Sequence, residues 1–327
     1  MKKHLLLIVL LVLPFWLKAQ QKAQYSQYII NNYLLNPALT GIEDYADVKL
    51  GYRNQWAGVN GAPVTFYLSG HTHLNNGVKT RKSNSSKALR PNAFAAEVPD
   101  NGVQRKIKPH HGLGGVVLRD QIGPFSRTEA SASYAYHLPL ASNIRLATGA
   151  SLGIISQSLH PDAITFNNPN DNAAVGWNKL SPNLSTGFWL YADNFYAGAS
   201  ANQLFANAGT SAEEQPGNNT LRSHYFLTGA YKYAPTPTLA FIPSVLVKWV
   251  QPVPVSVDYN LRMIYEDKYW AGLSYRQRDS FIVLAGLTLN HRFDVSYAYD
   301  MGISSLSSTS AGSHEIVLGL RLNSQKK

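Results

Sequence analysis

This sequence predicts an all-β fold: a transmembrane antiparallel β-barrel of the outer membrane, with about 14 strands. Three observations carry that prediction. Apolar and polar residues alternate in unusually long runs. The connections between the runs are short and long by turns. The chain also opens on an export signal and is poor in charge, with 15% charged residues.

The first element is the signal. "MKKHLLLIVLLVLPFWLKAQ" has a basic start at Lys2 and Lys3, an apolar run from Leu5 to Leu17 and a small residue, Ala19, near a plausible cut. That is the layout of a secretory signal peptide over 1–20. The apolar run is short of the roughly 20 residues a spanning helix needs. The chain contains no Cys, which excludes a lipoprotein anchor, a disulfide framework and a thiolate metal site. Residues 21–45 are expected to form a periplasmic N-terminal segment, and 46–327 the barrel.

Reading each alternating run as a strand gives 46–54, 62–74, 112–119, 125–138, 144–157, 180–191, 195–204, 221–233, 239–249, 255–265, 269–276, 280–290, 293–303 and 314–322. In 125–138, Arg127, Glu129, Ser131, Ser133 and His137 share the polar side. In 255–265, Val255, Val257, Tyr259, Leu261, Met263 and Tyr265 oppose Ser256, Asp258, Asn260, Arg262 and Ile264. In 293–303, Phe293, Val295, Tyr297, Tyr299, Met301 and Ile303 oppose Asp294, Ser296, Ala298, Asp300 and Gly302. Tilted transmembrane strands need about 9–11 residues, whereas soluble strands average about 5–6. An even strand number allows closure, which leaves no unpaired edge in lipid.

If the first strand rises from the periplasm, "PLASN", "ADN", "APTPT", "EDK" and "NHR" are short periplasmic turns. The outer loops then include 158–179, 205–220 and "SSLSSTSAGS". Short periplasmic turns and longer outer loops are the bacterial rule. One connection breaks it. The insertion 75–110 is long, polar and basic, and offers Lys79, Arg81, Lys82, Arg105, Lys106 and Lys108 as a contact for a periplasmic partner or an anionic wall polymer. Its alternative is a disordered polar insertion. Outward aromatics near strand ends (Trp249, Tyr259, Tyr265, Tyr269, Trp270, Tyr275 and Phe281) are expected to form the interfacial girdle.

The sequence offers little to catalysis. His71 and His73 share one strand face but lack visible further ligands, so they read as lumen or rim histidines. His110 and His111 read as solvated. Asp120, Asp162, Asp171, Asp258, Asp294 and Asp300 are not grouped by any motif. There is no G-x-S-x-G elbow and no H-E-x-x-H. "GLGGVV" at 112–117 reads as a strand with glycines that relieve crowding. The protein is expected to be no enzyme and to need neither cofactor nor metal. The net charge of +10 is spread out apart from 75–110, and export argues against nucleic acid as a partner.

Three segments together carry a family resemblance: "QYSQYIINNYLLNPALTGIEDY" from Gln24, "YRNQWAGVNGAPVTFYLSGHTHL" from Tyr52, and "GLGGVVLRDQIGP" from Gly112. Their order resembles the PorP/SprF family of Bacteroidetes outer-membrane proteins. The resemblance implies a non-enzymatic accessory barrel of the type IX secretion and gliding system. Such a barrel assists secretion or surface attachment of one cargo protein, often a large adhesin, recognised through a C-terminal sorting domain. It implies as partners that cargo, periplasmic and outer-membrane secretion components, and the lipid bilayer. The motif residues transfer as a structural or docking signature: Asn36, Pro37, Ala38, Gly41, Tyr52, Arg53, Gln55, Trp56, Gly61, Ala62, Pro63, Ile122, Gly123 and Pro124. Two departures stand out. The insertion 75–110 replaces a short turn, and the last strand ends "LGLRLNSQKK" without a terminal Phe. The alternative function is a porin or solute channel, with Arg145, Arg262 and Arg276 lining its pore. The stretch 50–74 reads as the first hairpin, serving either to close the barrel around its N-terminal segment or to dock a secretion partner.

Overall fold

The computed structural model of the chain describes residues 24–74, 94, 108–160, 176–205, 221–290, 292–303 and 310–322. Its strands are β1 (Ala46–Asn54), β2 (Val64–Leu74), β3 (His110–Ile122), β4 (Phe125–Pro139), β5 (Arg145–Leu159), β6 (Trp177–Tyr191), β7 (Phe195–Asn202), β8 (His224–Tyr231), β9 (Tyr233–Thr236), β10 (Leu239–Val250), β11 (Val253–Tyr265), β12 (Tyr269–Arg276), β13 (Ser280–Leu289), β14 (Phe293–Gly302) and β15 (Ser313–Leu322). Successive strands pair antiparallel, and β15 returns to β1 in register from Ala46↔Leu322 to Asn54↔His314. β8 and β9 both pair with β10 and make one interrupted stave, so the barrel has fourteen staves and no open edge. Closure gives every stave a hydrogen-bonded neighbour on each side, as lipid requires, with β6 paired to β7 over Thr186–Tyr191.

The alternation puts Leu50, Leu68, Val117, Leu152, Leu180, Leu261, Leu273 and Leu318 on the outside, where each is exposed. The opposite faces turn inward and are buried. They carry polar residues such as Arg53, Ser69, Glu129, Ser133, Asp258 and Arg276, but also Leu246, Ile282, Leu284 and Val317. The rim where β1 begins carries the tight turns, and we call it the turn rim. The opposite rim carries the longer connections after β5, β7 and β14, and we call it the loop rim.

Three expectations need correction. The strand expected over 221–233 begins at His224 and is broken at Lys232, whose backbone N–H leaves the ladder to donate to Asn194 O at 2.7 Å. Its continuation reaches Thr236 through Pro235, which has no ladder donor to offer. Trp270 is not part of the outer girdle. It lies on the buried face of β12 with Gly272 and packs against the interior apolar clusters, while Tyr269, Ala271 and Leu273 face out. The segment expected in the periplasm is, from Gln24 to Ile42, almost wholly buried inside the barrel.

Of the insertion 75–110, the described residues are Phe94 and 108–110. Phe94 is buried, edge-on to Tyr196 with ring centroids 5.0 Å apart. Lys108 is exposed, while Lys79, Arg81, Lys82, Arg105 and Lys106 lie outside the described residues, as does the signal segment 1–20.

Candidate functional site

The lumen is filled by the N-terminal segment, which folds as three short 3-10 turns: Gln27–Ile30, Asn32–Leu34 and Pro37–Leu39. The sequence dictates the last turn locally. Asn36 is extended (φ −140°, ψ 113°), and its side chain accepts from Ala38 N at 2.9 Å. Pro37, with its fixed φ and missing N–H, suits the first position of the turn. Gly41 then turns the chain at φ +73°, a conformation most side chains disfavour.

Barrel side chains take hold of this segment largely by its main chain. Glu315 accepts from Ser26 N at 2.7 Å and Gln27 N at 3.3 Å. Arg262 donates to Ile29 O at 3.2 Å, and Ser200 and Asn202 both donate to Leu35 O, at 2.7 and 3.1 Å. At the turn rim His137 bonds Thr40 O at 2.8 Å and His110 bonds Gly41 O at 3.1 Å, while Gly41 N donates to His71 Nδ1 at 3.2 Å. Side-chain bonds add register: Tyr28 to Asn260, Asn31 to Ser69, and Tyr33 to Ser133 at 2.6 Å. Apolar contact completes the fit, since Tyr25, Tyr28, Ile29, Ile30, Leu34 and Leu35 cluster with inward Tyr67, Leu118, Leu246, Ile282, Leu284 and Val317.

A buried ion network braces the half of the lumen nearer the loop rim. Arg53 Nη2 lies 2.7 Å from Asp300 and its Nη1 3.2 Å from Glu315, spanning the β1–β15 closing seam and reaching β14. The same guanidinium donates to Ser26 Oγ at 2.7 Å, so the seam and the lumen segment share one clamp. A second group joins Lys248 to Asp258 (2.8 Å) and Arg276 to Asp258 (3.3 Å). Arg276 extends to Tyr25 O and to Gln24, and comes within 3.8 Å of Asp300. Buried charges are tolerated only when paired in this way.

A profile described as type IX secretion system membrane protein PorP/SprF matches residues 17–320. The chain belongs to the PorP/SprF family. No curated protein matches it. Among solved structures it is similar to Acinetobacter baumannii Omp33, at 10% identity over 86% of this chain and 100% of that one with TM-score 0.49. It is similar to the P. putida toluene transporter TodX at 10% identity, covering 89% and 93%, with TM-score 0.49. It is also similar to the KdgM porin at 11% identity, covering 84% and 98%, with TM-score 0.35.

In this PorP/SprF barrel the motif residues fall into two groups. Asn36, Pro37, Ala38 and Gly41 are buried in the lumen segment, and Arg53 holds that segment's other end. Asn36 reaches the wall itself, donating to Phe188 O and Ala199 O at 3.0 and 3.2 Å. Gln55, Trp56, Gly61, Ala62 and Pro63 form the β1–β2 loop at the loop rim, which meets the β3–β4 turn Ile122-Gly123-Pro124 where Gly123 N donates to Gly61 O at 2.9 Å. Trp56 N donates to Ser313 Oγ at 3.1 Å, fixing the loop against β15. Tyr52 stands on the lipid face against Phe66, with centroids 4.8 Å apart. Of the arginines expected to line a pore, Arg262 and Arg276 hold the lumen segment, and Arg145 sits over the Tyr191 ring at 5.9 Å.

Sequence reasoning missed the lumen segment's wall partners: Glu315, Asn260, Ser200, Asn202 and Ser69. A usable signal was present. Inward faces of β10, β13 and β15 carry Ile242, Leu246, Ile282, Leu284 and Val317, which a water-filled pore would not favour.

Proposed function

We propose that this protein is an accessory outer-membrane barrel of the type IX secretion system that assists secretion or surface attachment of a specific cargo protein through the cargo's C-terminal sorting domain. The observation that carries this reading is the lumen occupied by Gln24–Ile42, clamped by buried ion pairs and by main-chain bonds from β2, β3, β4, β7, β11, β12 and β15. A barrel filled in this way does not serve free diffusion of solutes, so it works as a docking and anchoring body. The cargo is expected to be a large surface adhesin of the gliding system, the partners periplasmic and outer-membrane secretion components, and the activity non-catalytic. Deletion of the gene should strip one sorting-domain protein, or a small set, from the cell surface. Normal surface levels of every such protein in the deletion strain, together with steady conductance of the intact chain in planar bilayers, would replace this reading with the porin.

A further inference from the structure

The outer wall over β3–β6 differs from the rest of the barrel. Near the loop rim, aromatic pairs stand across adjacent strands elsewhere: Tyr225 with Trp249 at 5.1 Å, Tyr275 with Phe281 at 4.8 Å, and Tyr52 with Phe66 at 4.8 Å. Following the register from Tyr52 and Phe66 leads to Arg119, Thr128, Ser156 and Leu180, a row that climbs toward the loop rim because barrel strands tilt. Above the level of Tyr52 and Phe66 this wall therefore carries a guanidinium and two hydroxyls. β4, β5 and β6 are also long, at 15 residues each, against 13 for β3 and β11 and 8 for β7 and β12. Arg119 is exposed on the outward face and meets no acceptor among the described residues.

Further toward the turn rim the outer wall is shallowly recessed. Two rows below Arg119, consecutive register partners are Gly70, Gly115 and Ala132, with Val48 and Leu152 at their ends and Leu68 and Val117 above. These residues line a groove of about 530 Å³ on the lipid-facing side. Four residues along β3, from Gly115 to Arg119, rise about 13 Å, so an apolar groove at acyl-chain depth ends under a cation at headgroup depth.

We propose that this face binds a phosphorylated saccharolipid of the outer leaflet, with one acyl chain in the groove and a phosphate on Arg119. Charge complementarity selects the anionic head. The hydroxyl of Thr128, the register partner of Arg119, suits a sugar. The loop rim is the end that bacterial barrels turn outward, which places the cation in the leaflet that holds such lipids. The proposal is independent of the cargo reading, because it concerns the lipid face and not the lumen.

The test uses the full chain in phosphatidylcholine nanodiscs seeded with a lipid A probe that carries a photoreactive group at an acyl terminus. Crosslinked peptides should concentrate on 68–70, 115–117 and 130–132. Arg119→Gln should lower this yield about fivefold, the worth of one basic residue at a membrane surface. Removing the probe's phosphate should lower it equally and leave Arg119→Gln without further effect. Gly70→Leu with Ala132→Leu should abolish crosslinking in the groove, with heat-dependent gel mobility confirming that the barrel has folded. Crosslinks spread evenly around the wall, or indifferent to Arg119 and to the fillers, overturn the proposal. So does an equal, Arg119-dependent yield from a photoreactive phosphatidylglycerol, which would make the face a general anionic-lipid site. Loss of a co-purifying protein on Arg119→Gln with lipid crosslinks unchanged overturns it in favour of a protein partner.

Discussion

Two inward-facing glycines give the means to separate the lumen segment from its wall. A Cβ at Gly149 on β5 would lie 2.5 Å from Pro37 O and 2.7 Å from Ala38 Cα. One at Gly112 on β3 would collide with the Thr40 carbonyl and lie 2.8 Å from Gly41 Cα. The atoms struck are backbone, so no side chain can swing aside. Each strand is held by ladders on both sides, whereas the lumen segment is held by scattered bonds, so in Gly112→Val/Gly149→Val the segment gives way. Valine also suits a strand better than glycine. Overpacking costs about 1–3 kcal/mol per site. The two glycines lie two strands apart and strike different residues, so their effects should roughly add, to about 2–6 kcal/mol. That raises the ratio of displaced to seated segment by about 30-fold to 10⁴-fold. Planar-bilayer recording should show a closed parent chain and frequent openings in the double variant, with heat-dependent gel mobility intact in both. Gly70→Val is the control, because its Cβ faces outward and meets nothing closer than Val48 Cγ2 at 3.6 Å. A folded double variant as silent as the parent, or a parent that conducts steadily, would refute the lumen assignment.

Arg53→Met leaves Asp300 and Glu315 buried beside each other without their shared cation, and should cost the barrel about 3–5 kcal/mol; an unchanged urea midpoint in detergent would count against the clamp. Trp56→Ala should leave a folded barrel, because the β1–β2 loop is pinned by its own N–H groups, Trp56 N to Ser313 Oγ and Ala57 N to Gly312 O. If cargo display falls while gel mobility is normal, the loop docks a partner; if folding itself fails, the Trp56 side chain is a packing element. At the turn rim, burial and the neighbouring Asp47 raise half-buried Glu43 to about 8, against the opposing pull of Lys49. Its folded form keeps a proton that the unfolded chain releases, so this stabilisation is complete below about pH 4.5 and is lost as pH climbs through about 8. Intrinsic-rate-corrected amide exchange at 42–46 should accelerate from about pH 5 to about pH 8 and level off above it, and a flat profile would contradict it.

The barrel was legible because lipid imposes a period-two pattern on every stave. β1, expected over 46–54, is Ala46–Asn54, and β12, expected over 269–276, is Tyr269–Arg276. The errors have local causes. β3 runs from His110 to Ile122, longer than the expected 112–119, because Gly112, Gly114 and Gly115 weaken the alternation without breaking the ladder to β4. Trp270 reads as a girdle residue from its place at a strand end. Its position one residue from Tyr269 puts it on the opposite face, and that parity outweighs residue type.

The lumen segment was not legible in the same way, because nothing in "QYSQYIINNYLLNPALTG" repeats. Three 3-10 turns too short to show a period leave no amphipathic signature. Its partners lie far away along the chain: Ser26 meets Glu315, and Tyr28 meets Asn260. The clue lies in a mismatch between two regions. An export-ready segment carrying Tyr25, Tyr28, Ile29, Ile30, Tyr33, Leu34 and Leu35 has no reason to sit in water. Meanwhile "SFIVLAGLTL" is apolar on both faces, with Phe281 and Val283 toward lipid and Ile282 and Leu284 toward the lumen. A strand apolar on both sides in a barrel requires something apolar inside it. In this chain the unplaced apolar residues at the N-terminus and the unexplained apolar inner face of β13 are two halves of one core, and Gly112 and Gly149 mark where its backbone passes closest to the wall.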